Sequence, residues 1–151
     1  MLQQYFTPIE DKTIYKPYQI GACIQKYATH FPEIENKSIV LFSIQDKHGS
    51  ADLIRKHLYQ LAANTSFEKT VLDLGNIPSE KTPAETNLAI QTVTEQLLDR
   101  GALPLLIGDH LDQGEALYKA FEGRSEHVQL SLISSHLPLL EYELLHRICT
   151  S

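Results

Sequence analysis

Four apolar runs of strand length, SIVLFSI (38–44), TVLDLGNI (70–77), LPLLI (103–107) and VQLSLIS (128–134), recur along this chain with helix-length segments between them. The first of them, continuous in Ile, Val, Leu and Phe, reads as a strand buried on both faces, and the other three read as further strands. Parallel strands of that kind cannot be joined by tight hairpins; each needs a right-handed crossover, usually a helix. The pattern therefore predicts an α/β fold, a three-layer α/β/α sandwich around a parallel sheet of about four strands.

The intervening segments carry helix signals. Ser50 can cap a helix whose apolar side would be Leu53, Ile54, Leu58 and Leu61. Thr82, Pro83 and Glu85 have the spacing of a capping box with proline at the first helical position, and that helix should run to Arg100 and stop at Gly101. Asp112 and Glu115 resemble a second capping box, opening a helix through Ala116, Leu117, Ala120 and Phe121 to Gly123. Gly75 and Asn76 read as a turn closing the second strand, and Leu140, Leu144 and Ile148 recur at helical spacing near the end. Before the first strand no clean period exists, although 18–27 could form a short helix with Ile20, Cys23, Ile24 and Tyr27 on one side. The expected organisation is an arm over 1–37 packed on one α/β domain over 38–151.

Charge narrows the partners. With 13 Lys and Arg against 19 Asp and Glu, the net charge of -6 repels a phosphate backbone, so nucleic acid is not an expected partner. Cys23 and Cys149 form neither a disulfide framework nor a zinc spacing, which fits a reducing cytoplasm. The start MLQQYFTPIEDK lacks the basic and apolar regions of a secretory leader, and no apolar run has membrane length, so no membrane association is expected.

In a parallel sheet, ligands bind beyond the carboxyl ends of the strands. The residues there are Asp46, Lys47 and His48 after the first run, Asn76 after the second, Gly108, Asp109 and His110 after the third, and Ser134, Ser135 and His136 after the fourth. Histidines on successive strand ends could share a first-row metal. Each residue also has a plainer role: His110 as a strand-end hydrogen-bonding group, Asp112 as a helix cap, 46–48 as a solvated turn. Ser134 and Ser135 lack the Gly-x-Ser-x-Gly context of an exposed nucleophile, and no Gly-rich loop offers a phosphate cradle.

GALPLLIGDHLD resembles the ureohydrolase (arginase, agmatinase, formiminoglutamase) segment in which a strand ends in Gly-Gly-Asp-His, and VQLSLISSHLPL resembles the following strand with its Asp-x-His-x-Asp ligands. SIVLFSI, ADLIRKHLYQL and VLDLGNI follow the family's order of strand, Ile-Arg helix and Asp-Leu-Gly turn, so the similarity covers about 38–140 and points to the N-terminal half of such a protein, nearest the formiminoglutamase branch. The resemblance implies an arginase-like fold and manganese-dependent C–N hydrolysis of a guanidino or formimino compound, with His110 and His136 as vestigial metal ligands. Departures are as specific as the matches. Ser134 and Pro138 stand where the family has aspartates, and Ile107 replaces a glycine. The Ser-x-Asp-x-Asp segment and the late catalytic Glu of the second half have no counterpart here. The chain as given is therefore expected to hold no manganese and to be inactive, with a non-catalytic binding or assembly module as the alternative. The resemblance also implies that the third and fourth strands of the complete fold are separated by strands from its second half. Closing that gap predicts the order 2-1-3-4, with 128–134 paired to 103–107; otherwise another copy would cover the open edge as a homo-oligomer.

Overall fold

Parallel pairing joins the first three apolar runs into one sheet. The computed structural model describes residues 1–45, 49–63, 69–78, 82–108, 111–122, 124 and 146. After a 3-10 turn at Leu2–Tyr5 come α1 (Ile20–Cys23), β1 (Gln25–Lys26), β2 (Ile39–Ile44), α2 (Ser50–Gln60), β3 (Val71–Ile77), α3 (Pro83–Asp99), β4 (Leu103–Ile107) and α4 (Leu111–Lys119). The strands are all parallel and lie in the order β1-β3-β2-β4.

That order corrects the expected 2-1-3-4. The first three expected strands do stand as β3-β2-β4, but the sheet's fourth strand comes from the arm and lies beyond β3. Backbone bonds explain the placement: the Tyr27 amide donates to the Asp73 carbonyl at 2.8 Å, and the Ile9 amide donates to the Tyr27 carbonyl at 2.8 Å. The β3 edge is thus satisfied by residues that precede the domain in sequence. The helix expected over 18–27 shortens for the same reason, to Ile20–Cys23 followed by β1. The strand expected at 128–134 and the helix through Leu140, Leu144 and Ile148 lie outside the described residues.

One face of the sheet carries the larger core. Val40, Phe42 and Ile44 of β2 and Leu72, Leu74 and Ile77 of β3 meet Ile90, Val93 and Leu97 of α3, with Leu2 and Phe6 of the arm. Each such side chain contributes about 1.5–3 kcal/mol when fully buried. The other face packs Leu41 against Ile24 and Tyr59. Helices on both faces of a parallel sheet make the predicted three layers.

On β3 the alternation of faces breaks. Leu41 pairs with Asp73 but Ser43 pairs with Asn76, so Phe42 stands opposite both Leu74 and Gly75. This bulge at Gly75 (φ 87°) takes the place of the expected terminal turn. A Cβ at Gly75 would stand 2.2 Å from the Thr7 carbonyl oxygen, so only glycine admits the arm here. The extra residue shifts the register, leaving Leu72, Leu74 and Ile77 in one core while Asp73 and Asn76 both turn toward α2.

Two helices differ from the reading of their sequence. In α2 the inward residues are Ala51, Arg55 and Tyr59; of the expected apolar side, Leu58 packs beside Tyr59, whereas Leu53 and Ile54, and Leu61 just after the helix, are 57%, 47% and 57% exposed. Ser50 is its first helical residue, with Gly49 (φ 68°) ahead of it as the cap. In α4, Asp112 lies within the first turn and so is not the N-cap; its charge there favours the helix dipole. By contrast, α3 begins as expected: the Thr82 hydroxyl accepts from the Glu85 amide at 3.3 Å and the Glu85 carboxylate accepts from the Thr82 amide at 2.9 Å. It ends at Arg100 with Gly101 at φ 70°. No described helix is long and apolar enough to cross a membrane. Replacing Thr82 by Ala should lower stability by about 1 kcal/mol, read as a lower urea midpoint with unchanged m.

Candidate functional site

Asp73 sits inside β3 at 0% exposure, where an unpaired carboxylate would be very costly. Arg55, 2% exposed on α2, answers it. Its Nε donates to Asp73 Oδ2 at 2.8 Å and its Nη2 to Asp73 Oδ1 at 3.1 Å, a bidentate fork. Nη2 also donates to the Gly75 carbonyl at 2.8 Å, and Nη1 to Asp52 Oδ1 at 3.2 Å and to Asn76 Oδ1. A guanidinium has five N–H donors, and all of them are used.

The remaining capacity of Asp73 is filled as well. Tyr59, one helical turn beyond Arg55, donates its hydroxyl to Oδ2 at 2.6 Å, and the Gly75 amide donates to Oδ1 at 2.9 Å. Ser43 of β2 donates to Asn76 Oδ1 at 2.5 Å. Because arginine can only donate, the Asn76 atom facing it is the oxygen, which leaves the amide nitrogen to the adjoining cavity. Burial disfavours a charged guanidinium, yet the bonds to Asp73 hold the Arg55 pKa above its ordinary value. Burial and the neighbouring Asp73 carboxylate raise the Tyr59 pKa, so its phenol stays protonated.

A second cluster borders the first. Lys26 of β1 places its ammonium 4.5 Å from the centroid of the Tyr59 ring and 4.3 Å from that of Tyr15, two rings meeting edge to face at 5.7 Å. The ammonium also pairs with Asp11 Oδ2 at 2.8 Å. Tyr15 donates to the same oxygen at 3.0 Å, and the Thr13 amide to Oδ1 at 3.0 Å. Burial alone would raise the Asp11 pKa; Lys26 and these donors outweigh it and bring it down to about 2.

Between the arm and α2, at the carboxyl ends of β2 and β3, lies a cavity of about 500 Å³ lined by Asp11, Tyr15, Gln45, Arg55, Tyr59 and Asn76, among others. Its position is where α/β sheets bind ligands, and its size suits a small molecule. Amide, hydroxyl and carboxylate groups converge on it, while Arg55 is paired with Asp73 and Lys26 with Asp11.

Of the residues singled out from the sequence, Asn76 belongs to this site. Gly108 is described, and a Cβ there would stand 2.1 Å from Gln113 Oε1. Asp112 is exposed on α4. Asp46, Lys47, His48, Asp109, His110, Ser134, Ser135, His136 and Pro138 lie outside the described residues. The ends of β2 and β4 are neighbours, with Ser43 opposite Ile107. Among the described residues no group of three or more His, Cys, Asp or Glu could hold a metal ion. Sequence reading missed Arg55, Tyr59, Asp73, Lys26 and Asp11. The available signal was Asp73 itself, a charge inside a strand buried on both faces, which demands a cation somewhere in the fold.

Removing one partner of the fork should be far worse than removing both. Arg55→Met is expected to cost about 3–5 kcal/mol, and Arg55→Met with Asp73→Leu clearly less than the two single losses combined. Urea unfolding of the three variants checks this. Acid should expose the second cluster separately. The folded pKa of Asp11 is about 2 against an ordinary 3.8, so its contribution is complete above about pH 4 and disappears as pH falls toward 2. Asp11→Asn should flatten that part of the stability profile, measured as the urea midpoint against pH.

Comparison with known proteins returns no match: no family model, no curated protein and no solved structure is similar to this chain.

Proposed function

We propose that this chain is the N-terminal part of a ureohydrolase-type protein, whose inherited reaction is metal-dependent C–N hydrolysis of a guanidino or formimino compound, and that it acts in the cytoplasm. In this reading the chain is a scaffold and does not itself carry the reaction. The observation that supports it is the Arg55–Asp73 fork. The fork joins the Ile-Arg helix to the Asp-Leu-Gly strand, two of the segments on which the resemblance stands, and it spends both charges on holding them together. His110 and His136 would remain as two neutral imidazoles beside Ser134 and Pro138, a poor donor set for manganese, which prefers carboxylate oxygen.

A second reading, a non-catalytic assembly module, is favoured by β4. Leu103 and Leu105 are 53% and 49% exposed on the strand at the end of the described sheet. The Leu103 amide bonds inward to Ser38 at 2.8 Å, so the alternate positions Pro104 and Leu106 turn their backbone groups outward. Pro104 has no N–H to offer, which makes this edge a poor template for another strand. A partner copy would bury the leucines by side-chain packing.

Titration calorimetry with Mn²⁺ at neutral pH, followed by assays for urea, ammonia or formamide release from arginine, agmatine and formiminoglutamate, tests the scaffold reading. The expected outcome is no stoichiometric micromolar site and no turnover. A micromolar site lost in His110→Ala and His136→Ala would place the reaction in this chain. Sedimentation velocity of the same sample separates the readings: a stable dimer that Leu105→Lys dissociates supports assembly, and a monomer rejects it.

A further inference from the structure

The arm is fastened to the body by backbone bonds at two places. On one side the Thr7 and Asn76 amides each donate to the other's carbonyl, at 2.8 and 3.2 Å, and the Ile9 amide reaches Tyr27. On the other the Ile20 amide donates to the Leu61 carbonyl at 3.0 Å. Between them, the only hydrogen bond among the described residues from a backbone group of residues 10–15 is the one from the Thr13 amide to Asp11, which stays within the segment. Lys12, Thr13 and Ile14 are exposed, Ile14 at 97%. What holds this stretch over the cavity is therefore side chains alone: the Asp11–Lys26 pair, and the Tyr15 ring seated between Gly21 and the edge of Tyr59.

We propose that residues 10–15 form a strap that opens as a unit over the cavity, with the Lys26 ammonium as its latch. Lys26 suits the role because it belongs to the sheet, holding its place through β1, while every partner of its charge except Tyr59 belongs to the strap. Releasing it removes the ion pair and the cation contact of the Tyr15 ring, and frees the Asp11 oxygen that Tyr15 also bonds, so only the packing of that ring on Gly21 and Tyr59 remains to hold the strap. An open strap uncovers Tyr59 and the Asn76 amide to small polar molecules, and leaves the fork beneath intact because Arg55 makes no bond to the strap. The device is independent of whether a metal reaction belongs to this chain.

Tryptic cleavage after Lys12 requires the strap to leave the body, so its rate follows the open population. Lys26→Met should accelerate that cut roughly tenfold or more, well beyond any acceleration of cuts elsewhere in the body, and Lys26→Arg, which keeps a cation over the two rings, should restore slow cleavage. An unchanged rate at Lys12, or equal acceleration at every site in the body, overturns the proposal. Should Lys26→Met fail to fold, Asp11→Asn, which removes the latch's partner from the strap, decides: cleavage after Lys12 faster than in the unmodified chain, each rate taken relative to a free peptide of the same sequence, is expected, and an unchanged relative rate refutes the latch.

Discussion

Asp73 needs a cation. A carboxylate in the middle of a strand at the centre of a parallel sheet has no access to water, and the cost of leaving it unpaired exceeds that of almost any rearrangement around it. Much of this fold follows from how the cost is met. Arg55 and Tyr59 must both face the strand, so α2 turns the stripe Ala51, Arg55 and Tyr59 inward. Leu53, about 160° around the helix from Arg55, is then forced toward solvent. The exposure of Leu53 is a consequence of the buried charge.

The same pair shapes β3. Arg55 binds the Gly75 carbonyl while Asp73 takes the Gly75 amide, so both sides of the bulge are tied to the ion pair. The bulge brings Asn76 onto the face of Asp73 and frees the close approach that Thr7 needs. In this way one buried charge sets the angle of a helix, the phase of a strand and the landing point of the arm. Tyr59 then passes the arrangement outward, its hydroxyl on Asp73 and its ring under Lys26.

Such a network does for architecture what a reaction centre does for chemistry, and the two demands differ. A catalytic base or nucleophile needs an unfilled lone pair or a poised proton. Asp73 accepts from Arg55, Tyr59 and Gly75, and Tyr59 is held further from ionisation than an ordinary phenol. The cavity beside them is lined by Asn76, Gln45 and the arm.

Local signals were legible where the physics is local. The α3 capping box, its stop at Gly101 and the three central strands follow from orphan amides, left-handed backbone and continuous apolar runs, each settled within a few neighbouring residues. The inward face of α2 was not legible, because periodicity counts apolar residues and takes no account of a buried carboxylate elsewhere in the chain. Nor was the second edge of the sheet. Gln25 and Lys26 have no strand signature, and only the vacant edge of β3 makes them one. The sequence by itself determined the α/β class and the three parallel strands β3, β2 and β4, since apolar strands joined by helices admit little else. Only the tertiary structure decided the site, because Asp11, Lys26, Arg55, Tyr59 and Asp73 come from separate segments, and a buried charge is answered across space.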